Sequence, residues 1–469
     1  MLYKKRLVCL IILVVSFLFG TSKNLYGWDI TEAAKSYYGR TIKISLMAGY
    51  EVNKVLLNKV IPSFEKMTGI KVEVDFVPYQ DVIPTHDRIL EADASEYDLV
   101  NVDDVWFPHY VHNLYSIEPF INNARLAMPS LKLDDFIPEL LMGYQWEEKN
   151  YCFPITFEFP ILMVRKDLFK EAGLVDEKGE IIPPKSFDEY YKYAKLLTKD
   201  TDNDGKTDIY GTTLHGYKTG IFDEVVSWYW GAGGELFGDN LKVDFNNPIM
   251  VKALDTYQKI YVNGYAPPES SGWELGEAAT AFRTGKTAMS WNWTMVGAWI
   301  LDPKQSYVYD KVDFIPLFKE DPNRVRYLRE ASNALCIPKK ARNKEAAFLF
   351  MQWYTSPQME KEYISDSYLV HPSRKSVIFS KEYADKVPYA GIQRAVINKH
   401  AIRLCPKITD YPNVDQVSAM YFQQVMTGNM SAEDGVAAAA KGVENLLRTR
   451  NYYEKPNKKY SQFLSGRYR

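Results

Sequence analysis

Three tryptophans lie within nine residues of one another, and their spacing suggests a binding surface. Trp291 and Trp293 end an apolar stretch, Thr287–Met289, that reads as a strand, and Trp299 lies in the helix predicted to follow. Ligands bind where the strands of open α/β sheets end. Flat aromatic rings also suit the apolar faces of sugar rings. We therefore predict a ligand contact for Trp293, whereas core packing explains Trp291 and Trp299 more simply.

An acidic loop, DTDNDGKTD, offers oxygen ligands for a cation directly after a predicted helix. Its carboxylates are Asp200, Asp202, Asp204 and Asp208. Alternating oxygen ligands with a glycine for the sharp turn are what Ca²⁺ requires. The distal acid of a complete calcium loop is missing, since Gly211 stands at its position, so an acidic surface turn is the alternative. Because four close carboxylates repel one another without a cation, the pattern favours a structural Ca²⁺.

Other motifs that could carry chemistry are incomplete. Gly285–Thr287 resembles the end of a phosphate-binding loop, but Thr280 stands where its first glycine is required. His109 and His112 could share a helix face, yet no third metal ligand accompanies them. The chain contains neither a G-x-S-x-G nor an H-E-x-x-H motif. A net charge of −2 without a basic block argues against nucleic acid as a partner.

The first 27 residues have the pattern of a cleaved export signal. Three cations at positions 4–6 precede the uncharged run Leu7–Gly20, and a small-residue site follows at Gly27. The run is too short to span a bilayer comfortably. Cys9 lies inside it, too early for a lipid-anchor site. We therefore expect an exported, soluble protein.

Three cysteines remain after removal of this signal: Cys152, Cys336 and Cys405. In an oxidising compartment they allow one disulfide at most and leave at least one free thiol. Their spacing does not select the pair, and it carries no metal-binding signature.

The elements that must position these residues alternate between strands and helices. Strands are predicted at 42–46, Ile70–Phe76 and Asp98–Val102, with helices at Val52–Met67 and near Val82–Ala94 between them. This β-α-β-α-β order predicts a parallel sheet with right-handed crossovers.

A second unit of the same kind starts near Phe159–Val164, an apolar strand followed by helices at Lys166–Glu171 and Phe187–Leu197. A later strand is predicted at Ala334–Pro338, and Asn343 opens a long helix. About 440 mature residues are enough for two or three domain-sized cores. We therefore expect more than one α/β unit.

A series of motifs, each weak alone, follows a fairly specific order from about residue 40 to residue 450. They are Phe64–Val72, Tyr97–Val100 with Asp103 and Trp106, Phe153–Pro154 with Glu158, Val164–Phe169, Gly231–Gly234, Ala281–Met289, Asn292–Trp293, Ile337–Lys339 and Asn343–Ala347. Together they resemble the extracellular solute-binding protein family 1, the sugar-capturing subunits of ABC importers that include the maltose-binding type.

The resemblance implies an α/β fold of the periplasmic binding protein-like type II class, with two α/β lobes joined by a hinge and the ligand in the cleft. The chain would cross between the lobes near Ile155–Pro160, Pro316–Arg326 and Val370–Val377. The lobes would comprise 38–155 plus 327–372 and 160–316 plus 376–450, followed by a polar tail at 453–469.

The resemblance also implies ligand contacts, carried over to the matching positions of this sequence. Those in the first lobe or at the hinge would be Tyr50, Glu51, Asp103, Asp104, Trp106 and Glu158. Those in the second lobe would be Trp228, Trp230 and Trp293. The chain departs from the family pattern in its length, and Tyr411–Tyr421 carries tyrosines where a tryptophan would be more typical.

These features predict the exported substrate-binding component of an ABC importer. It would capture a carbohydrate by lobe closure and deliver it to a membrane permease, and its many aromatic residues suggest an oligosaccharide. We expect a monomer that does not span the membrane and needs no cofactor beyond the structural Ca²⁺. The lack of a lipid-anchor cysteine favours a Gram-negative-type periplasm.

A secreted glycoside hydrolase is the alternative from another functional class. Such an enzyme needs two carboxylates about 5 Å or about 6.5–9.5 Å apart across the bond that it cleaves. Glu158 with Asp103 or Asp104 could supply that pair. A binding protein uses the same carboxylates as hydrogen-bond acceptors, so the sequence leaves both functions open.

Overall fold

The computed structural model describes the chain from Ile30 to Tyr453, except for residues 49–51, 93–94, 218, 318–327, 330 and 367–370. Two predicted ligand contacts, Tyr50 and Glu51, lie outside the described residues. The predicted export signal, most of the second predicted crossing and nearly all of the predicted tail also lie outside them.

The described residues form strands throughout the chain. They are β1 (Thr41–Met47), β2 (Lys71–Val77), β3 (Leu99–Asp103), β4 (Gln145–Trp146), β5 (Lys149–Asn150), β6 (Cys152–Pro154), β7 (Pro160–Arg165), β8 (Tyr210–Thr212), β9 (Thr287–Trp293), β10 (Val312–Ile315), β11 (Leu328–Arg329), β12 (Asn333–Cys336) and β13 (Ile402–Arg403).

Helices cover the sheets and fill the stretches between strands. The α-helices are Ile30–Ala34, Val52–Val55, Ile61–Thr68, Tyr79–Glu91, Phe107–Tyr110, Glu118–Ile121, Pro138–Gly143, Lys166–Glu171, Phe187–Leu197, Thr219–Gly231, Pro248–Val262, Leu275–Arg283, Gly297–Leu301, Lys344–Tyr354, Pro357–Asp366, Lys375–Ile378, Lys381–Lys386, Ala390–Asn398, Tyr411–Met426 and Ala432–Thr449. A π-helical turn, Leu56–Val60, joins the second and third of these. Short 3₁₀ turns are Lys35–Tyr37, Val111–Asn113, Leu133–Asp135, Asp239–Leu241, Pro268–Gly272 and Thr294–Val296.

The first sheet has the strand order β2-β1-β3-β12-β6. β1 is parallel to β2 and β3, which confirms the parallel sheet predicted from the alternating elements. β12 enters from much later in the chain and runs antiparallel to both β3 and β6. Successive residues of a strand face opposite sides, and both sides are buried here. Leu99 and Leu335 belong to one hydrophobic core, whereas Val100 and Ala334 belong to the other.

The second sheet has the strand order β10-β7-β9-β8. β9 runs antiparallel to β7 and parallel to β8, and Trp293 at its end lies opposite Pro160. The strand therefore ends in aromatic residues and turns into a helix, as the sequence predicts. This register places Trp293 beside the segment that connects the two sheets.

Three chain segments pass side by side between the two sheets. Glu158 exchanges backbone hydrogen bonds with Ala331, of 2.8 and 3.0 Å, and the Phe157 amide donates to the His371 carbonyl at 3.1 Å. Phe157 and Glu158 lie just before β7, Ala331 lies just before β12, and His371 directly follows residue 370. A ladder of backbone hydrogen bonds therefore links the three segments where they cross between the sheets.

The disulfide pairing left open by the sequence is Cys152 with Cys336. These cysteines face each other on the neighbouring strands β6 and β12. Cys405 is a buried free thiol. Within the described part of the chain, no helix combines the length and apolar character needed to cross a membrane.

Candidate functional site

Two adjacent carboxyl groups mark the end of β3. The buried apolar run of β3 stops at Asp103, where the chain turns and the Trp106 amide donates to the Asp103 carbonyl at 3.0 Å. The Asp104 amide donates to the Ser332 carbonyl at 3.0 Å, which holds this turn against the segment entering β12. Burial raises the pKa of Asp103 well above its usual range, and the negative charge of the neighbouring Asp104 raises it further.

Arg329 lies on β11, three residues before Ser332, and joins this acid pair to the second sheet. Its Nη1 is 2.6 Å from Asp223 Oδ1, and Asp223 lies in helix Thr219–Gly231. Its guanidinium carbon lies 4.9 Å from the centre of the Trp293 ring. Its positive charge partly offsets the raised pKa of Asp103. With 4% exposure, Arg329 is buried among these groups.

The first two turns of helix Tyr411–Met426 add two further side chains, Tyr411 and Asp415. Burial raises the pKa of Asp415 well above its usual range, and Asp223 adds to this rise while Arg329 opposes it. Burial also raises the pKa of Tyr411. Cys405 raises this pKa further, Arg329 lowers it, and Asp415 raises it. The described residues offer no hydrogen-bond partner to the Tyr411 hydroxyl or to the buried Asp415 Oδ1.

We call this group the Arg329 cluster. It consists of Asp103, Asp104, Asp223, Trp293, Arg329, Tyr411 and Asp415. It combines hydrogen-bond donors, acceptors and an aromatic ring from the ends of β3 and β9, from β11, and from the helices Thr219–Gly231 and Tyr411–Met426. Such a convergent set of polar groups around an aromatic ring is typical of a small-molecule site.

Glu158 lies at the first crossing between the sheets, where the resemblance places it. Its Oε2 accepts a 2.6 Å hydrogen bond from the Thr294 hydroxyl, and its Oε1 lies 2.8 Å from His371 Nδ1. His371 also contacts the Tyr389 hydroxyl through Nε2. Both carboxylate oxygens are therefore engaged at the crossing between the sheets. These contacts tie the crossing segments together, and a ligand contact of Glu158 stays a prediction.

Trp228 and Trp230 lie in helix Thr219–Gly231 but point into packed surroundings. Trp228 is 2% exposed and contacts Tyr190 and Tyr257, with ring centres 4.9 and 5.5 Å apart. Trp230 is equally buried, and the Arg403 guanidinium lies 5.7 Å from its ring centre. This placement argues against ligand contacts for both residues. The helix is apolar almost all round because it is buried, so its aromatic residues fill the core.

The remaining predicted residues are divided between core and surface. Trp291 is buried and contacts His215 and Trp293, as expected of a core residue. Trp106 is half-buried and stacks on Tyr110, with ring centres 6.2 Å apart, against the core that contains Val100 and Ala334.

The acidic loop predicted to bind Ca²⁺ is fully exposed. Ligand oxygens of Asp200, Asp202 and Asp208 lie within 4.8 Å of one another. Asp204 instead pairs with Lys206 at 3.0 Å and is not a member of this group. Hydrogen bonds from Thr201 lower the pKa of Asp208 and keep it ionised. The loop could offer three carboxylates to a cation, fewer than the sequence predicts.

A sequence model of the bacterial extracellular solute-binding proteins matches residues 48–361. The chain belongs to this family. It is 24% identical over 338 residues to a mannitol-binding protein of Pseudomonas aeruginosa, which is 68% of this chain and 74% of that protein. It is 24% identical over 438 residues to a probable amino-acid ABC transporter periplasmic-binding protein of Sinorhizobium fredii, covering 89% and 92% of the two chains.

Solved structures of solute-binding proteins share the fold of this chain. An ABC transporter solute-binding protein from Agrobacterium radiobacter, in complex with ribitol, superimposes with a TM-score of 0.74 at 23% identity. The match covers 87% of this chain and 99% of that structure. The fold is therefore the two-lobe α/β fold of periplasmic binding proteins, as the resemblance of its motifs predicts.

Sequence reasoning missed four members of the Arg329 cluster: Asp223, Arg329, Tyr411 and Asp415. One signal was available, because Asp223 and Glu224 are the only acids in the otherwise apolar helix Thr219–Gly231. A buried helix with a charged residue usually holds a partner for it. For Arg329, no local pattern indicates that β11 passes between the two sheets.

Proposed function

We propose that this solute-binding protein is the substrate-binding component of an ABC importer for a sugar or a sugar alcohol. The observation that carries the proposal is the Arg329 cluster, in which side chains from both sheets converge on one buried position. Family membership supports the transport role. A relative that binds mannitol and a similar structure in complex with ribitol support a polyhydroxylated compound as the ligand.

The chemistry of the cluster suits hydroxyl groups. Carboxylates accept hydrogen bonds from hydroxyls, while the guanidinium of Arg329 and the hydroxyl of Tyr411 donate them. The indole of Trp293 offers an apolar face for C–H groups. An oligosaccharide as the ligand stays a prediction, and Trp293 is 8% exposed in this structure.

Binding would work by lobe closure around this position. A ligand that contacts Asp103 on one side and Asp223 on the other binds the closed form better, and only that difference in affinity shifts the equilibrium. The ladder that links Glu158, Ala331 and His371 would absorb the backbone change. The closed form would then be presented to a membrane permease. Export by the amino-terminal signal to the periplasm belongs to the same proposal.

The glycoside hydrolase alternative requires a free carboxyl group at Glu158. The engagement of both its oxygens by Thr294 and His371 favours binding without catalysis. Prolonged incubation with oligosaccharides separates the two functions. Released reducing ends would indicate an enzyme, and stoichiometric binding without turnover would indicate a receptor.

We also propose a structural Ca²⁺ at the acidic loop, held by Asp200, Asp202 and Asp208. Three exposed carboxylates within ligand distance of one another support it, although such groups also occur without a cation. The loop follows helix Phe187–Leu197, so the cation would stabilise a peripheral part of the second sheet.

Thermal-shift screening of the exported form tests the proposed function. A panel of sugars, sugar alcohols and amino acids is used, because a ligand that binds only the folded state raises the melting temperature. We expect at least one sugar or sugar alcohol to raise it, by an amount that increases with concentration. A response confined to amino acids would contradict the carbohydrate assignment and would leave the transport role in place.

A further inference from the structure

A buried histidine, His215, lies at the end of the second sheet next to Trp293. β8 runs parallel to β9, and His215 follows the end of β8 by three residues. Its ring meets the Trp291 ring edge-on, with ring centres 5.2 Å apart, and Trp291 in turn contacts Trp293. His215 therefore lies at the carboxyl ends of two parallel strands, the edge at which α/β sheets bind ligands.

Glu224 fixes the orientation of the His215 ring. Its Oε2 lies 2.9 Å from His215 Nδ1, and it accepts hydrogen bonds from the His215 amide at 3.0 Å and from the Tyr257 hydroxyl at 2.8 Å. Because a carboxylate only accepts hydrogen bonds, the Nδ1 atom carries a proton and donates it. The other ring nitrogen, Nε2, is thereby left for a different group.

Two ring nitrogens at this contact have no hydrogen-bond partner among the described residues. They are His215 Nε2 and Trp291 Nε1, on side chains of residues that are 2% and 1% exposed. An unpaired polar atom in the interior costs free energy, so a further group is expected to pair with them.

The chemistry of the two nitrogens selects a hydroxyl group as that partner. The indole N–H of Trp291 only donates, whereas Nε2 of His215 accepts in the neutral ring and donates in the charged ring. A hydroxyl group suits either state, because its oxygen accepts two hydrogen bonds and its proton donates one.

We propose that His215 Nε2 and Trp291 Nε1 bind one hydroxyl group of the carbohydrate ligand. The proposal rests on the proposed function, because the two side chains adjoin the Trp293 ring of the same site. A ligand without this hydroxyl leaves both buried nitrogens unpaired, so His215 determines specificity for a hydroxyl at one position of the ligand. A buried water molecule offers the same chemistry, and the experiment below distinguishes the two sources.

Calorimetry with monodeoxy probes on the mature chain tests the proposal. The parent compounds are D-glucose, D-mannose, D-mannitol and ribitol, and the parent that binds most tightly is compared with each of its monodeoxy analogues. The wild type is compared with His215→Asn, because asparagine retains a donor for Glu224 and lacks the Nε2 atom.

We expect His215→Asn to bind the parent about tenfold or more weakly, the scale of one hydrogen bond whose loss leaves a buried group unpaired. The one analogue that lacks the contacted hydroxyl should bind wild type and variant equally, because the same contact is already absent. His400→Asn is the matched control, since it changes an exposed histidine whose Nδ1 pairs with Glu139 at 3.1 Å. It should bind every probe as wild type does.

A second variant, Trp291→Phe, removes the indole N–H and should single out the same analogue. It decides the question if His215→Asn does not fold. An equal loss of affinity for the parent and for every analogue, or no loss at all, would assign a buried water to the two nitrogens. That result would overturn the proposal and leave the proposed function standing. If none of the four parents binds, the proposal fails, and the thermal-shift panel decides separately whether the proposed function fails too.

Discussion

Trp293 is the residue for which sequence and structure agree most closely on position. It ends β9 beside the first crossing, and the Arg329 guanidinium covers one face of its ring. The neighbouring Trp291 contacts it edge-on, with ring centres 5.7 Å apart. Its position is thus fixed by the core on one side and by the cluster on the other.

Removing the Trp293 ring should weaken ligand binding more than it weakens the fold. We expect Trp293→Ala to reduce affinity by about 1–3 kcal/mol, the scale of one lost aromatic contact. Isothermal titration calorimetry measures the change, and Trp299→Ala serves as the control from the following helix. Unchanged affinity together with a large fall in melting temperature would mean that Trp293 is only a core residue.

Four residues of the Arg329 cluster were missed by sequence reasoning, mainly for a physical reason. Asp223 and Arg329 are separated by more than a hundred residues and meet only because β11 passes between the sheets. Trp228 shows the converse, since an aromatic residue satisfies a core and a binding site equally well. Residue types therefore suggested a polar and aromatic site, the tertiary contacts show which side chains meet, and the ligand contacts stay predictions.

At the level of elements, periodicity was the most reliable guide. The helices Lys166–Glu171 and Phe187–Leu197 begin and end at the predicted residues. The second has a Ser186 cap that accepts the Glu189 amide, a local signal that the sequence displays. The π-helical turn Leu56–Val60 has no such signal, and the apolar stripe of Val52–Met67 predicted an unbroken helix.

Helix Pro357–Asp366 is linked to the third crossing through a buried carboxylate, Glu360. It accepts hydrogen bonds from the Ser373 amide and hydroxyl, of 3.0 and 2.6 Å, and from the Arg374 amide at 3.2 Å. Burial raises its pKa from 4.5 to about 7, against the opposing effect of Arg374. Between these two values the folded protein holds a proton that the unfolded chain has lost. Stability from this group therefore rises as the pH falls from above 7 to below 4.5.

The Glu360→Gln variant should remove this pH dependence. Relative to wild type, the variant should gain stability as the pH rises from 5 to 8, by up to about 3 kcal/mol. Urea unfolding measures the free energy of unfolding of both proteins across this range. The titration of other groups cancels in the difference between the two. Parallel stability curves would show that Glu360 does not titrate in this range.

The acidic loop provides a test at the same scale. A chelator should lower the melting temperature of wild type and leave ligand affinity nearly unchanged, because the loop is exposed and peripheral. Asp202→Asn should not respond to chelator, while Asp255→Asn, which changes an exposed aspartate paired with Lys259, should respond as wild type does. Identical melting of wild type with and without chelator would rule out a bound Ca²⁺.

At the scale of the whole molecule, the two sheets are built from different parts of the chain. The strands of the first sheet come from 41–154 and 333–336, and those of the second come from 160–315. The Cys152–Cys336 disulfide lies within the first sheet and does not bridge to the second. Relative motion of the lobes is therefore compatible with every covalent link among the described residues.

Small-angle X-ray scattering of the mature protein, with and without its ligand, tests lobe closure on a bound sugar most directly. The ligand found by thermal shift is added at saturation, and the radius of gyration is compared with that of the ligand-free protein. Because a ligand that contacts Asp103 and Asp223 together favours the closed form, the radius should decrease on binding. A radius that stays constant at saturation, with binding verified by calorimetry, would contradict the closing mechanism.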